Sequence, residues 1–353
     1  MSTSQPTEGQ KVGVTGDAGG VAVPRGGAPK PGAPSGKRDV TSWIGPFFQR
    51  YGVLIAFAAV IIFFSLESSV FLSLSNLRAV FSGAASLSVI AAVLTVPMIM
   101  GDFDLSIGYN TQVLGAVVVT LMAFRGWATG TSIIATIGVG AFIGLLLGSL
   151  IAWSKVSAFV ITLGAGILLQ GVELRITQGH TIFQGLEASY VKLAQDKFLT
   201  FTLPVWIALV VSIFLWYVTR HTVLGRRMAA VGGNQEAARL SGINVEFMRT
   251  AGFIIVGIGA AVASVIITSQ AASSYPDSAT GLLIPAYASL FLGAAILRPG
   301  EFHIWGTLIG VLFISFIQNG LTLLNYSSST TNVVEGAIFI AAVLTSRIGR
   351  QRT

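Results

Sequence analysis

Long windows without a charged residue are the feature of this sequence that most constrains its fold. The window from Gly126 to Ser154, for example, contains no Asp, Glu, Lys or Arg. About 20 consecutive apolar residues are enough for a helix to cross a bilayer. Because only 10% of the 353 residues are charged and 53% are hydrophobic, the charges are too few to cover a water-soluble surface. The sequence therefore predicts a polytopic membrane protein.

Windows of this kind recur and predict an all-α fold of about ten transmembrane helices. A transmembrane β-barrel would show alternating polar and apolar residues, whereas these windows are apolar on all sides. The window from Phe302 to Val334 is broken by polar residues 325–331 and divides into two spans, the tenth covering Asn332 to Ser346. The other eight windows are Tyr51 to Leu66, Ala79 to Gly101, Leu105 to Phe124, Gly126 to Ser154, Val156 to Val172, Phe198 to Thr219, Thr250 to Pro276 and Ser278 to Leu297.

The distribution of basic residues predicts that both termini are cytoplasmic. With this orientation, most of the 21 Lys and Arg lie inside, as the positive-inside rule requires. The basic residues left outside are Arg78, Arg125, Arg175, Lys192 and Lys197. The net charge of +7 is thus explained by topology, and we expect no nucleic-acid partner.

Three regions follow from composition. Residues 1–45 are rich in Gly and Pro and are predicted to be a disordered cytoplasmic tail. This tail has no short apolar core with a cleavage site, so we do not interpret it as a secretory signal. Residues 46–348 form the transmembrane domain, and residues 349–353 are a basic cytoplasmic end. Since the chain has no cysteine, thiolate metal sites and cysteine nucleophiles are excluded.

Glycines at helical spacing mark faces where helices approach closely. Gly140, Gly144 and Gly148 form one ridge, and Gly306 with Gly310 forms another. Tight structural packing is the simpler interpretation, and a sliding surface used in conformational change is the alternative.

The cytoplasmic segment 220–249 contains a predicted two-turn helix. Asn234 is suited to cap its start, Glu236 and Arg239 match the helix dipole, and Gly242 is suited to end it. From these residues alone, docking onto a soluble partner and lying on lipid headgroups are equally good interpretations.

Several motifs together indicate a family. Residues 232–243 (GGNQEAARLSGI) resemble the EAA-type loop of ribose-type (monosaccharide) ABC permeases. Residues 100–108 (MGDFDLSIG) are similar to a signature that these permeases carry between early helices, and residues 305–310 (WGTLIG) with 319–321 (NGL) resemble their C-terminal pattern. The resemblance extends from about Tyr51 to Ile348 and covers essentially everything except the tail.

The resemblance implies a non-catalytic transmembrane subunit in the inner (plasma) membrane of a bacterial cell. It implies three protein partners: an ABC ATPase, an extracytoplasmic solute-binding protein, and a second permease copy or homologue. ATP and Mg²⁺ would be bound by the ATPase, since this chain has no Walker A loop. On this interpretation, the residues that couple to the ATPase are Asn234, Gln235, Glu236, Ala237, Ala238, Arg239 and Gly242.

The solute implied is a monosaccharide, sugar alcohol or related polyol. A path for such a molecule requires amides and hydroxyls without fixed opposing charge. Candidate lining residues are Asn110, Gln112, Gln170, Gln318 and Asn319, although an amide of this kind more often bonds a neighbouring helix than a substrate. A nucleoside, an autoinducer or a branched-chain amino acid is the alternative solute. The long outer loop from Thr177 to Thr202 is a candidate surface for the binding protein.

Intramembrane carboxylates raise a second class of function. Asp104 matches the acid of the family signature, and with Ser106 and Gly108 it either caps the third span or forms a pathway mouth. Asp102 does not match the signature. Together with Asp104, Glu173 and Glu335, it could relay protons in a secondary transporter. A receptor or scaffold is a third alternative. The three histidines have no metal-like spacing, and no catalytic or metal residues are predicted.

Overall fold

The computed structural model describes the backbone of residues 41–296 and 300–350, and side chains within 52–296 and 300–344. The fold is all-α apart from one two-stranded antiparallel hairpin in the described part of the chain. The elements are α1 (Thr41–Glu67), α2 (Leu74–Ile99), α3 (Ile107–Arg125), α4 (Thr129–Ser154), α5 (Ala158–Thr177), α6 (Ala188–Gln195), β1 (Lys197–Phe198), β2 (Phe201–Thr202), α7 (Leu203–His221), α8 (Val223–Gly233), α9 (Gln235–Leu240), α10 (Val245–Ala271), a 3-10 turn (Thr280–Leu282), α11 (Leu283–Ile296), α12 (Ile304–Leu323) and α13 (Ser328–Arg350).

The predicted all-α membrane fold is confirmed. Within the part of the chain that the structure describes, seven helices are long and apolar enough to cross a bilayer, namely α2, α3, α4, α5, α7, α10 and α12. Shorter apolar helical segments, within α1, at the 3-10 turn with α11, and within α13, occupy the remaining predicted spans. The number of crossings and the side of each terminus stay predictions. The predicted tail lies largely outside the described residues, and α1 already begins at Thr41, inside the 1–45 segment.

Helix α10 lies at the centre of the bundle and packs against α2, α3 and α4. The glycine ridge of α4 forms the closest of these contacts. A Cβ on Gly140 would lie 2.4 Å from the carbonyl oxygen of Gly257, and one on Gly144 would lie 2.3 Å from that of Phe253. Because such distances are below any tolerated van der Waals contact, only glycine permits this crossing. The ridge is therefore a packing face in this structure.

Helices α11 and α12 pack beside α1 and α2, and α13 packs against α11 and α12. Gly310 of α12 lies against the backbone of α11, where a Cβ would be 2.1 Å from the carbonyl oxygen of Ser289. Phe57 and Phe64 of α1, Phe71, and Phe316 of α12 contact one another edge-on or tilted. These rings fix α1 against the core.

The outward faces of α4, α5 and α7 are apolar and exposed. Leu150 on α4, Ile167 on α5 and Val210 on α7 are each more than half exposed. Since the protein spans a membrane, side chains of this kind face lipid or another subunit rather than water.

The helices extend beyond the uncharged windows where polar residues cap them. Helix α10 begins at Val245 instead of Thr250, because Asn244 accepts a hydrogen bond of 2.8 Å from the N–H of Phe247. The predicted seventh window thus identified the apolar part of a longer helix. Helix α2 ends at Ile99 and α3 begins at Ile107. Residues 100–106 between them are called the α2–α3 junction.

Candidate functional site

A short exposed helix, α9, projects from the segment between α8 and α10. Asn234 begins it by accepting a hydrogen bond of 3.0 Å from the N–H of Ala237 through its side-chain oxygen. The chain leaves the helix through Gly242, which has φ +80°. This left-handed conformation is costly for other residues and ordinary for glycine. Local sequence therefore determines both ends of α9.

The surface of α9 is suited to contact a soluble partner. The Glu236 side chain is 71% exposed and Leu240 is 82% exposed. Ala238, by contrast, is buried against the rest of the segment. An exposed acid and an exposed leucine, on a helix with a buried alanine, form a small surface of mixed polar and apolar character.

Arg239 connects α9 to the first turn of α10. Its guanidinium lies 3.5 Å from the Glu236 carboxylate on its own helix and also binds the carboxylate of Glu246. Both pairs are solvent-exposed, so each contributes little to stability. Their effect is to orient α9 relative to α10.

The α2–α3 junction is held by hydrogen bonds within itself and from two other helices, α5 and α11. The Asp104 carboxylate accepts from the N–H of Ser106, at 2.8 Å, and from its hydroxyl. The Tyr287 hydroxyl of α11 accepts from the Asp104 N–H at 2.8 Å and donates to the Asp104 carbonyl oxygen at 2.9 Å. Thr162 of α5 accepts from the N–H of Leu105 at 3.0 Å. These bonds satisfy backbone groups that the break between helices leaves open.

A buried ion pair joins the junction to α10. Nε and Nη2 of Arg249 each donate to the Asp102 carboxylate at 2.7 Å. The Arg249 side chain is 12% exposed and that of Asp102 is 6% exposed. The remaining Nη1 donates to the carbonyl oxygen of Ile151 in the last turn of α4, at 3.3 Å. One guanidinium on α10 thus binds both α4 and the junction.

Gly108 lies in the first turn of α3, against the chain between α10 and α11. A Cβ at this position would be 3.2 Å from the Ala279 carbonyl oxygen and 3.2 Å from Cα of Thr280. Because glycine has no side chain, the first turn of α3 can pack directly against the backbone between α10 and α11. Gly108 is thus a close-packing position.

The amide residues predicted to line a pathway lie in three kinds of surroundings. Asn110 and Gln112 of α3 are 1% and 2% exposed, and their side-chain oxygens have no hydrogen-bond partner among the described residues. Gln170 of α5 is half-buried. Gln318 donates to Glu335 at 2.7 Å, and Asn319 exchanges hydrogen bonds with Asn76, so both α12 amides bond neighbouring helices.

Comparisons with known proteins identify the family. Residues 76–343 match the family described as branched-chain amino acid transport system / permease component. The ribose import permease protein RbsC of Escherichia coli is 33% identical over 88% of this chain and 96% of that protein. The chain belongs to the ribose-type ABC permease family.

Other relatives of this permease also match along most of their length. The D-allose transport system permease protein AlsC of Escherichia coli is 30% identical over 86% of this chain and 93% of that protein. The autoinducer 2 import system permease protein LsrC of Salmonella choleraesuis is 30% identical over 82% of this chain and 83% of that protein. No solved structure matches the permease.

The loop from Thr177 to Thr202, predicted to lie outside and to receive a binding protein, is held by contacts to α4, to α10 and to the chain just after α10. Ile182 and Ser274 exchange backbone hydrogen bonds of 2.8 and 2.9 Å, and the buried Tyr190 hydroxyl bonds that of Thr268. Glu187 accepts from the N–H and hydroxyl of Thr129 at the start of α4. These hydrogen bonds to its charged form lower the pKa of the Glu187 carboxyl.

Sequence reasoning did not identify the partners of the junction in this permease. The Asp102–Arg249 pair, Tyr287 and Thr162 are contributed by distant parts of the chain. Asp102 and Arg249 lie beside apolar windows, where an unpaired charge is energetically costly. The sequence therefore indicated that each needs a partner, but not which residue that partner is. Glu173 is buried on α5 and bonded to Thr177, and Glu335 is buried and bonded to Gln318.

Proposed function

We propose that this permease is the translocation subunit of a bacterial inner-membrane importer that takes up a monosaccharide, a sugar alcohol or a related polyol. The observation that carries the proposal is the match along nearly the whole chain to permeases named for ribose and D-allose import. Autoinducer 2 is the second candidate solute, because permeases named for its import match over 82% of the chain.

Energy for transport comes from a separate ATPase that binds ATP and Mg²⁺. The docking site on this chain is α9 with its flanking residues: Asn234, Gln235, Glu236, Ala237, Ala238, Arg239 and Gly242. All of these residues except the buried Ala238 are exposed, and the full sequence has no Walker A loop; both observations support this assignment. A solute-binding protein delivers the solute to the outer loop, and a second permease copy or homologue completes the path.

The solute path passes along α3 and α5, beside Asn110, Gln112 and Gln170. The unpartnered buried oxygens of the first two residues support this choice, since a buried polar atom without a partner is costly unless something binds it. Gln318 and Asn319 already have partners, and we assign them to helix packing.

The test uses the complex purified with its ATPase and reconstituted in vesicles with the cognate binding protein. Uptake of radiolabelled D-ribose, D-allose and autoinducer 2 is measured with and without ATP. We expect ATP-dependent accumulation that persists when a protonophore collapses the proton gradient. Accumulation that requires the proton gradient, or that the permease performs alone, would contradict the proposal.

Glu236→Lys tests the docking helix. Reversing an exposed charge on α9 should leave membrane insertion intact and lower ATP-dependent uptake by about tenfold. Glu67→Lys is the matched control, because Glu67 is an exposed acid at the far end of α1. Unchanged uptake in Glu236→Lys would contradict the assignment of α9.

A further inference from the structure

Charged contacts connect α9 to the α2–α3 junction through the first two turns of α10. Arg239 of α9 binds Glu246, and Arg249, which lies one turn further along α10, binds Asp102. Residues three apart on a helix share one side of it. At the N-terminal end of α10, the Glu246 carboxylate therefore binds α9, and the Arg249 guanidinium binds the junction.

The second of these contacts is geometrically demanding. Two parallel N–H···O bonds of 2.7 Å fix both the distance and the plane of the Asp102 carboxylate relative to Arg249. Because both side chains are nearly buried, the charges cannot separate into water. Such a pair adds little net stability but opposes independent movement of the two segments.

The cytoplasmic segment also packs against the end of α2, immediately before the junction. Gly232, near the end of α8, lies against the last turn of α2, where a Cβ would be 1.8 Å from the carbonyl oxygen of Ile99. A cleft of about 580 Å³ opens between α9 and the end of α4. The described contacts of α9 with the bundle are thus made through α8 and α10.

We propose that Asp102 and Arg249 are positioning residues that transmit movement of α9 to the α2–α3 junction. The inference rests on the proposed function. A displacement of the N-terminal end of α10 moves the junction with it, since the ion pair is short and buried. The junction in turn begins α3, which carries Asn110 and Gln112. The same guanidinium holds the last turn of α4 through the Ile151 carbonyl oxygen.

The test follows movement at the two ends of this connection separately. The chain has no cysteine, so Phe103→Cys and Leu240→Cys each supply a single thiol, one in the junction and one on α9. The rate of maleimide labelling is measured in the complex with its ATPase, with and without ATP and vanadate. We expect both rates to change by about threefold or more in the otherwise unaltered chain.

The decisive variant combines Asp102→Asn with Arg249→Gln. It removes both charges together, because a single replacement would leave an unpaired buried charge and destabilise the protein strongly. We expect the response at residue 240 to remain and the response at residue 103 to be lost. Uptake of D-ribose per ATP hydrolysed should fall by about tenfold. If the double variant were simply misfolded, the responses at residues 240 and 103 would both be lost.

Two further variants complete the design. Lys155→Gln removes an exposed cation from the same cleft and should preserve both responses. Arg249→Lys keeps the positive charge but cannot make the bidentate contact. This variant serves as the test if the double variant does not assemble. We then expect a reduced response at residue 103.

Two results would overturn the inference while leaving the proposed function standing. One is a full response at residue 103 in the double variant or in Arg249→Lys. The other is a response at residue 240 alone in the unaltered chain. Failure of both sites to respond in the unaltered chain would instead overturn ATPase coupling itself, and the inference with it.

Discussion

Asn76 of α2 and Asn319 of α12 exchange two amide hydrogen bonds, of 2.8 and 3.0 Å. Asn76 also donates to the Phe71 carbonyl oxygen at 2.8 Å. Because the amide groups of Asn76 and Asn319 satisfy each other, the pair fixes the register of two packed helices. An interhelical pair of this kind is a packing device rather than a free group facing a solute.

We predict that Asn76→Ala and Asn319→Ala are each destabilising and strongly non-additive. A double-mutant cycle should give a coupling free energy of about 0.6 to 1.7 kcal/mol, the range typical of hydrogen bonds between transmembrane helices. Unfolding in detergent for the two single variants and the double variant measures it. Additive effects would show that the two amides do not bond each other.

We predict that Gly144→Ala disrupts the crossing of α4 and α10. The added methyl would lie 2.3 Å from the Phe253 carbonyl oxygen, so the helices must separate, which loses packing over the whole contact. Gly138→Ala is the control on the same helix, because nothing lies within 4 Å of its Cβ. Thermal unfolding in detergent should show a large loss for Gly144→Ala and no loss for Gly138→Ala.

We predict that Asn234→Ala weakens ATPase binding without affecting insertion. Losing the cap at the Ala237 N–H costs about 1 kcal/mol, and α9 is too short to remain helical after that loss. Ser73→Ala removes a cap from α2 instead and should leave binding unchanged. Titration of the ATPase onto the permease in nanodiscs compares the two. Equal affinities would show that α9 does not need its cap for docking.

We predict that Glu187 stabilises the outer loop only in its charged form. Its folded-state pKa is lowered by hydrogen bonds from Thr129 and Ser189. A lowered pKa means that the stabilisation is present above the unfolded-state pKa and is lost as the pH falls through the folded-state value. Thermal unfolding between about pH 7 and pH 3, compared with Glu187→Gln, should show the difference between the proteins disappearing at the acidic end. A constant difference would contradict the prediction.

The transmembrane helices and α9 could be predicted from the sequence because their signals are local. An uncharged window predicts a helix wherever it occurs, since lipid requires the backbone to bond within its own segment. Asn234 and Gly242 define α9 through contacts within a few residues of each. Glycine spacing likewise indicated a close helix contact on α4.

Other features depended on contacts that no local pattern carries. The sequence alone determined that this protein is a multi-span membrane permease with a short capped helix between α8 and α10, because hydropathy, caps and motifs act over short stretches of chain. Only the tertiary structure decided that Arg249 pairs with Asp102, 147 positions away, and that Asn319 pairs with Asn76. A buried polar group must find a partner, but which partner it finds depends on how the helices pack.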